Sequence, residues 1–272
     1  MINHLQREFA FSQQDFDQLR NRLYQLTGIK LSDSKDSMVY SRLVRRLRVL
    51  KLKNFVDYWE CLNSSPDEVE HFVNALTTNL TSFFREPHHF DILHDYLVAN
   101  PKPYTIWCAA CSTGEEAYSI AMTVIQAFGC YDPPVRIIAS DIDSQVLSVA
   151  RKGVYPLKNL DNLSSVQRKQ FFFKGTGSQT GNAKVIPQLK ALIQFKSINL
   201  LDNKWDVPDK LSLIFCRNVM IYFDKSTQAK LLEKMVVKLD DNGRYFAGHS
   251  ENFSLMTNSL KPLGKTVYQP VR

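Results

Sequence analysis

No apolar run in this 272-residue sequence approaches the ~20 residues that a membrane-spanning helix needs. The first residues, Met1 to Glu8, lack the apolar core of a secretory signal. Internal repeats and low-complexity segments are absent. Cysteine is sparse, five in all, and an odd number does not suit a disulfide framework. These absences exclude a helical membrane protein and a stapled secreted one, and set the expectation at a reducing compartment, the cytoplasm. What is present is globular in character: 44% of residues are hydrophobic, enough for one large or two modest cores. A net charge of +7 calls for an anionic partner, whether nucleic acid, an acidic membrane surface or an acidic protein.

The chemistry concentrates between Tyr104 and Ser119. Tyr104 to Cys108 is aromatic and β-branched and reads as a buried strand. Ala109 to Gly114 are small, so the backbone there can approach a ligand closely. From Glu115 the apolar spacing turns helical through Ala117, Ile120, Ala121, Val124 and Ile125. Strand, tight loop and helix N-terminus form the first turn of a nucleotide-type α/β unit. Glu115 and Glu116 stand where a phosphate would otherwise sit, so a cationic or hydroxyl-rich ligand suits the loop better. A second strand, Val135 to Asp141, ends in the acid that such folds use for ribose hydroxyls. A ribose beside a positive charge, without phosphate, describes S-adenosylmethionine better than NAD or ATP.

Along the chain, residues 1–75 read as a small all-helical domain. Ser12 and Asp15 form a capping box for a first helix that Gly28 ends. A second helix, 36–50, sets Val39, Leu43, Leu47 and Leu50 on one face and projects Arg42, Arg45, Arg46 and Arg48 from its other side. Asn54 and Pro66 open two more. Residues 76–90 read as an interdomain linker and 91–272 as a Rossmann-like α/β domain. Within it, 171–196 is glycine-punctuated and predicts a small antiparallel β insertion. Leu211 to Cys216 resumes the buried strands. Thr227 to Leu239 is helical, Gly243 is its stop, and Arg244 to Gly248 is the next strand.

Three further signals compete with this reading. Trp107-Cys-Ala-Ala-Cys111 fits a thiol–disulfide motif, yet the helix starts too late and the acids would raise the thiol pKa. His88, His89 and His94 offer no i,i+4 pair, so no metal is assigned and a solvated helix start is expected. The basic helix could face nucleic acid, making a nucleic-acid methyltransferase the alternative function. The loop after the fourth strand, Asn218 to Tyr222, has no proline-containing motif of the kind base-amine methylases carry.

Asn79 to Glu86, Ser112 to Glu116, Ala139 to Asp143, Phe215 to Asp224 and Gly248 to Phe253 closely resemble the CheR family, the chemotaxis receptor glutamate methyltransferases. The resemblance runs from about residue 12 to residue 269. It implies S-adenosylmethionine as methyl donor, S-adenosylhomocysteine as product and glutamate side chains of membrane chemoreceptors as substrate. It further implies Glu116 for the methionyl amino group, Asp141 for the ribose, and Asn79, Thr81 and Arg85 closing over the cofactor. Asn199 and Leu200 fall on the adenine side, Arg217 and Asn218 line the cleft, and Arg85 and Tyr222 stand nearest the transferred methyl. The partner is then the acidic methylation helices, met by Arg42, Arg45, Arg46 and Arg48. The insertion resembles a subdomain that grips a receptor tail peptide, with Lys174, Gly177, Gly181 and Lys184 in the corresponding places. A monomer with no nucleic-acid partner and no direct membrane insertion is expected.

Overall fold

The computed structural model describes residues 7–253 and 256–271. The chain divides into two compact units, residues 1–78 with 222–224, and residues 79–221 with 225–272.

The first unit is helical: α1 (Gln13–Thr27), α2 (Asp36–Leu50), α3 (Phe55–Ser64) and α4 (Pro66–Leu76). Local signals set its ends. Ser12 accepts the Asp15 N–H while Asp15 caps back, and Gly28 closes α1 at φ 73°. Asn54 caps α3, and Ser65 with Pro66 opens α4. Each helix buries one stripe, including Phe16, Leu19 and Leu23 from α1 and Val39, Leu43 and Leu47 from α2. Tyr222–Asp224 groups with these helices: the Lys30 N–H donates to the Tyr222 carbonyl at 2.8 Å, and the Tyr24 hydroxyl to Asp224 at 2.6 Å.

The second unit begins with α5 (His88–Ala99), β1 (Tyr104–Ala109), α6 (Glu115–Phe128), β2 (Val135–Asp141), α7 (Ser144–Lys152) and β3 (Val154–Pro156). It continues through α8 (Ser165–Phe171), β4 (Phe172–Lys174), β5 (Asn182–Val185), α9 (Pro187–Ala191), β6 (Ile193–Ser197) and β7 (Leu211–Cys216). It ends with α10 (Lys225–Val237), β8 (Leu239–Ala247), β9 (Leu260–Gly264) and β10 (Val267–Pro270). Among the described residues the main sheet runs β6-β2-β1-β7-β8-β10-β9, parallel up to β8 and antiparallel beyond it. β7 is buried at every position and β1 at all but Thr105, the continuous apolar run of strands covered on both faces. Register aligns Ala109 with Ser140 and with Cys216, and Cys216 with Ala247, so four strands end level. Strand order reverses between β1 and β7, the place at the carboxyl ends where open α/β sheets hold their ligands.

Three local expectations need correction. The antiparallel sheet has the order β3-β5-β4, so its first strand lies upstream of residue 171. Residues 193–196, predicted within the insertion, belong to β6, which pairs parallel with β2 as the edge of the main sheet. Gly243 does not stop a helix: α10 ends at Val237 and Gly243 lies inside β8. A register shift between Leu211 and Leu213 accompanies it, and a Cβ there would sit 2.8 Å from the Asp240 carbonyl.

Candidate active site

The loop after β1 is tight because three residues take left-handed backbone: Ala110 at φ 60°, Ser112 at 48° and Gly114 at 96°. At Gly114 a Cβ would lie 2.8 Å from that of Ala150, so only glycine lets α6 start this close to α7. The turn aims the Ser112 N–H at Asp141 Oδ2, 2.8 Å away, while the Asp143 N–H reaches Oδ1 at 3.0 Å. Asp141 is 7% exposed, and burial pushes its pKa up to about 6 against these donors.

Glu116 stands at the start of α6. Its Oε2 accepts from the Arg217 guanidinium at 2.7 Å, and its Oε1 faces the Cys108 thiol at 3.3 Å. Arg217, just past β7, has a wholly buried side chain whose other amino group lies 3.1 Å from Glu86. It also donates to the Arg85 carbonyl at 2.5 Å. Burial opposes the charge on Arg217, and the two carboxylates more than offset it, holding its pKa above the ordinary value. Burial likewise opposes ionisation of Glu86, but Arg217 and the Asn218 amide hold that carboxyl down at about 2. Two carboxylates around one guanidinium leave a formal surplus of one negative charge. Arg217 Nε is buried without a hydrogen-bond partner. S-adenosylmethionine carries one net positive charge and a ribose, so the surplus charge and the Asp141 carboxylate fit it.

Asn79 and its neighbours lie on this same unit. The Asn79 amide donates to Asp143 at 2.8 Å, and its carbonyl accepts from the Ser112 hydroxyl at 3.0 Å. Arg85 turns back onto the Leu80 carbonyl at 3.0 Å. Thr81 lines a cavity of about 190 Å³ with Ser82, Glu115, Lys158, Asn159 and Asn162, which shares no other residue with the predicted cofactor set. Asn199 and Leu200 follow β6, where the Trp205 indole N–H donates to the Leu200 carbonyl at 3.2 Å. Asn218 takes φ 58°, with its amide on Glu86 at 3.2 Å. The crevice therefore gathers Glu116, Asp141, Arg217 and Asn218 at the strand ends. Tyr222 is in the short turn Met220–Tyr222.

The sequence missed Glu86 and His89. His89 was expected to be solvated, yet it is fully buried, its Nε2 at 2.8 Å from the Lys265 carbonyl. Burial, then the charge of Arg217, pushes its pKa down to about 4. Ligand atoms of Glu86, His88 and His89 lie within 4.8 Å of one another, a grouping that an i,i+4 rule does not see. Its carboxylate is already engaged by Arg217. The glutamate closing the Ser82-Phe-Phe-Arg-Glu86 run, beside two histidines, was the available signal. Burial first, then Glu116, lifts the Cys108 thiol well above its ordinary pKa, and burial with Asp141 does so for Cys111. Neither thiol is a ready nucleophile.

The basic residues divide by partner. Arg42 donates to the Ala75 and Thr77 carbonyls, at 3.1 and 2.5 Å. Arg46 grips Glu68, 3% exposed, which also accepts from the Tyr58 hydroxyl at 3.0 Å. Arg48 pairs with Glu8. Arg45 is exposed with no ion pair among the described residues. Lys174 ends the edge strand β4, Lys184 lies on β5 opposite the half-exposed Phe173, and Gly177 and Gly181 turn at φ 57° and 92°.

A parallel sheet with an acid-tipped second strand, a small-residue loop and a cation-seeking crevice defines an S-adenosylmethionine-dependent methyltransferase. Residues 79–269 match the family description "CheR methyltransferase, SAM binding domain", and residues 14–77 match "CheR methyltransferase, all-alpha domain". The chain belongs to the CheR methyltransferase family. It is 52% identical over 267 residues to chemotaxis protein methyltransferase 2 of Pseudomonas aeruginosa, covering 97% of this chain and 95% of the relative. Identity is 46% to the chemotaxis protein methyltransferase of Salmonella typhimurium, over 98% of this chain and 94% of that one. It is 44% to that of Escherichia coli, with the same coverage. No helix among the described residues is long and apolar enough to cross a membrane.

Proposed function

We propose that this methyltransferase esterifies glutamate side chains on the cytoplasmic helices of bacterial chemoreceptors. The observation that carries the reading is the surplus carboxylate at Glu86, Arg217 and Glu116, beside Asp141, in a chain this similar to chemotaxis methyltransferases. Glu116 holds the methionyl amino group and Asp141 the ribose. Asn79, Thr81 and Arg85 close over the cofactor, Asn199 and Leu200 flank the adenine, and Arg217 and Asn218 line the crevice. When bound, S-adenosylmethionine supplies an electrophilic methyl group on a sulfonium.

The chain's own task is alignment and exclusion of water. A glutamate carboxylate, with a pKa of about 4.3, is ionised at neutral pH and needs no strong general base. An anion meeting a cation loses charge on the way to the transition state, so a dry site favours the reaction. Alignment of the two reactants can contribute ~7–11 kcal/mol. Arg85 and Tyr222 are assigned to that positioning.

The division of labour follows: residues 1–75 meet the receptor, 76–90 link, and 91–272 hold the chemistry. Arg42 and Arg46 are occupied within their own unit and the exposed Arg48 is paired with Glu8, which leaves Arg45, with Lys51 and Lys53, as the exposed basic surface for an acidic helix bundle. The antiparallel sheet, with Lys174 and Lys184, is assigned a receptor tail peptide added as an edge strand. Lysine cannot make the two-pronged carboxylate contact of arginine, so this grip is the weaker kind. Methyl-tritiated S-adenosylmethionine and receptor-containing membranes test the function. Base-labile label released as methanol supports it; label in nucleic acid overturns it and restores the alternative.

A further inference from the structure

The stretch Gly248 to Phe253 has no part in the reaction as assigned above, yet it packs against the residues that do. Glu251 is 4% exposed and pairs with no basic side chain among the described residues. Its carboxylate instead collects main-chain donors. Oε2 accepts from the Gly248 N–H at 2.6 Å and the Asn218 N–H at 3.0 Å, and Oε1 from the Met220 N–H at 2.8 Å. Its own N–H returns to the Gly248 carbonyl at 2.9 Å, which closes the loop on itself. A side-chain anion thus fills a nest of N–H groups of the kind that elsewhere binds phosphate.

The turn so held carries Arg217 and Asn218. Asn218 sits at φ 58°, a left-handed conformation that a non-glycine residue keeps only when its surroundings impose it. Two constraints impose it here. Glu251 fixes the main chain from one side, and Gly248 presses from the other. A Cβ on Gly248 would stand 2.4 Å from the Asn218 amide nitrogen and 2.8 Å from its main-chain nitrogen. Glu86 then takes the Asn218 side chain at 3.2 Å. The main chain of the turn is held by one carboxylate and its side chain by another.

We propose that Glu251 is a positioning residue for the cofactor crevice: its carboxylate gathers the Gly248, Asn218 and Met220 N–H groups and so aims Arg217 and Asn218 at the methyl donor. The inference rests on the assignment of Arg217 and Asn218 to that crevice. Glutamine at 251 keeps the shape but presents an amide group to one set of donors, so the nest cannot stay fully paired. Alanine at 248 leaves the carboxylate untouched and displaces Asn218 directly. Both changes converge on the same turn by different routes.

The test is calorimetric titration of S-adenosylhomocysteine into the full-length wild type, Glu251→Gln and Gly248→Ala, with turnover at saturating S-adenosylmethionine, well below each variant's Tm. The expected result is an affinity loss of about tenfold or more in both variants, with circular dichroism unchanged. Arg46→Met is the control, because it takes the ion-pair partner from the buried Glu68 of the helical unit and lowers Tm without touching the turn. A purely structural role for Glu251 would make Glu251→Gln behave like that control, with lowered Tm and wild-type affinity, and would overturn the proposal. If Glu251→Gln does not fold, wild-type affinity in Gly248→Ala overturns it alone. Asn218→Ala and Arg217→Met separate the two layers. Unchanged affinity in them sinks the crevice assignment itself, whereas loss in them with none at Glu251 sinks only this inference.

Discussion

Each unit sets an arginine against carboxylates, and the two arginines live differently: Arg217 is wholly buried, Arg46 only partly. In the helical unit Arg46 meets one carboxylate, Glu68, which a tyrosine hydroxyl completes. Charges balance there and no ligand is invited. In the methyltransferase unit Arg217 meets two carboxylates, among left-handed residues, and its Nε has no partner. A balanced buried pair holds a fold together; an unbalanced one with unspent hydrogen-bonding capacity waits for a charged visitor.

The sharpest way to break this contrast is to remove each arginine in turn. Arg217→Met and Arg46→Met each strand buried carboxylates, so each should lose ~3–5 kcal/mol in urea unfolding. Only Arg217→Met should also abolish measurable cofactor binding, a drop of about a hundredfold or more. If Arg46→Met weakens the cofactor as much, the distinction collapses.

Asp141 sharpens the contrast through pH. Its folded pKa of about 6 lies above the ordinary 3.8. Its proton therefore stabilises the empty protein fully below the ordinary value, and that contribution is lost as pH rises through about 6. Cofactor affinity runs the opposite way, because the ribose needs the carboxylate. Titrations should weaken roughly tenfold per unit below that pKa, and Asp141→Asn should flatten the profile.

Smaller effects follow. Tyr222→Phe should lower turnover more than cofactor affinity; a collapse of affinity with turnover intact would mean the positioning role is misassigned. Arg45→Ala should leave the unfolding free energy within about 0.5 kcal/mol of wild type and slow receptor methylation a few-fold. Receptor methylation in the wild type should also fall steeply with salt. Rates indifferent to salt would remove the basic surface from the account.

Legibility in the sequence followed the range of the interaction. The Ser12–Asp15 box, the Gly28 cap and the acid ending β2 lie within a few residues of what they control, and each was readable. The partners of the α2 arginines were not, because Glu68 and Glu8 are 22 and 40 residues away. Residues 193–197 have a strand's composition, but nothing local says that they pair with β2 and not with the small sheet. Gly243 was misread because glycine ends helices and also relieves strand irregularities. His89 stands at a helix start that by itself would be solvated, whereas the Lys265 carbonyl reaches it from the far end of the chain. The site's acids and loop were visible; the carboxylates behind them, Glu86 and Glu251, were visible only as motif members without roles.

Crystals grown with S-adenosylhomocysteine test the central claim most directly. The account predicts the nucleoside in the crevice at the ends of β1 and β2, its amino group on Glu116 and its ribose hydroxyls on Asp141. A ligand bound elsewhere, or a crevice that stays closed around Arg217 with both acids untouched, would contradict it.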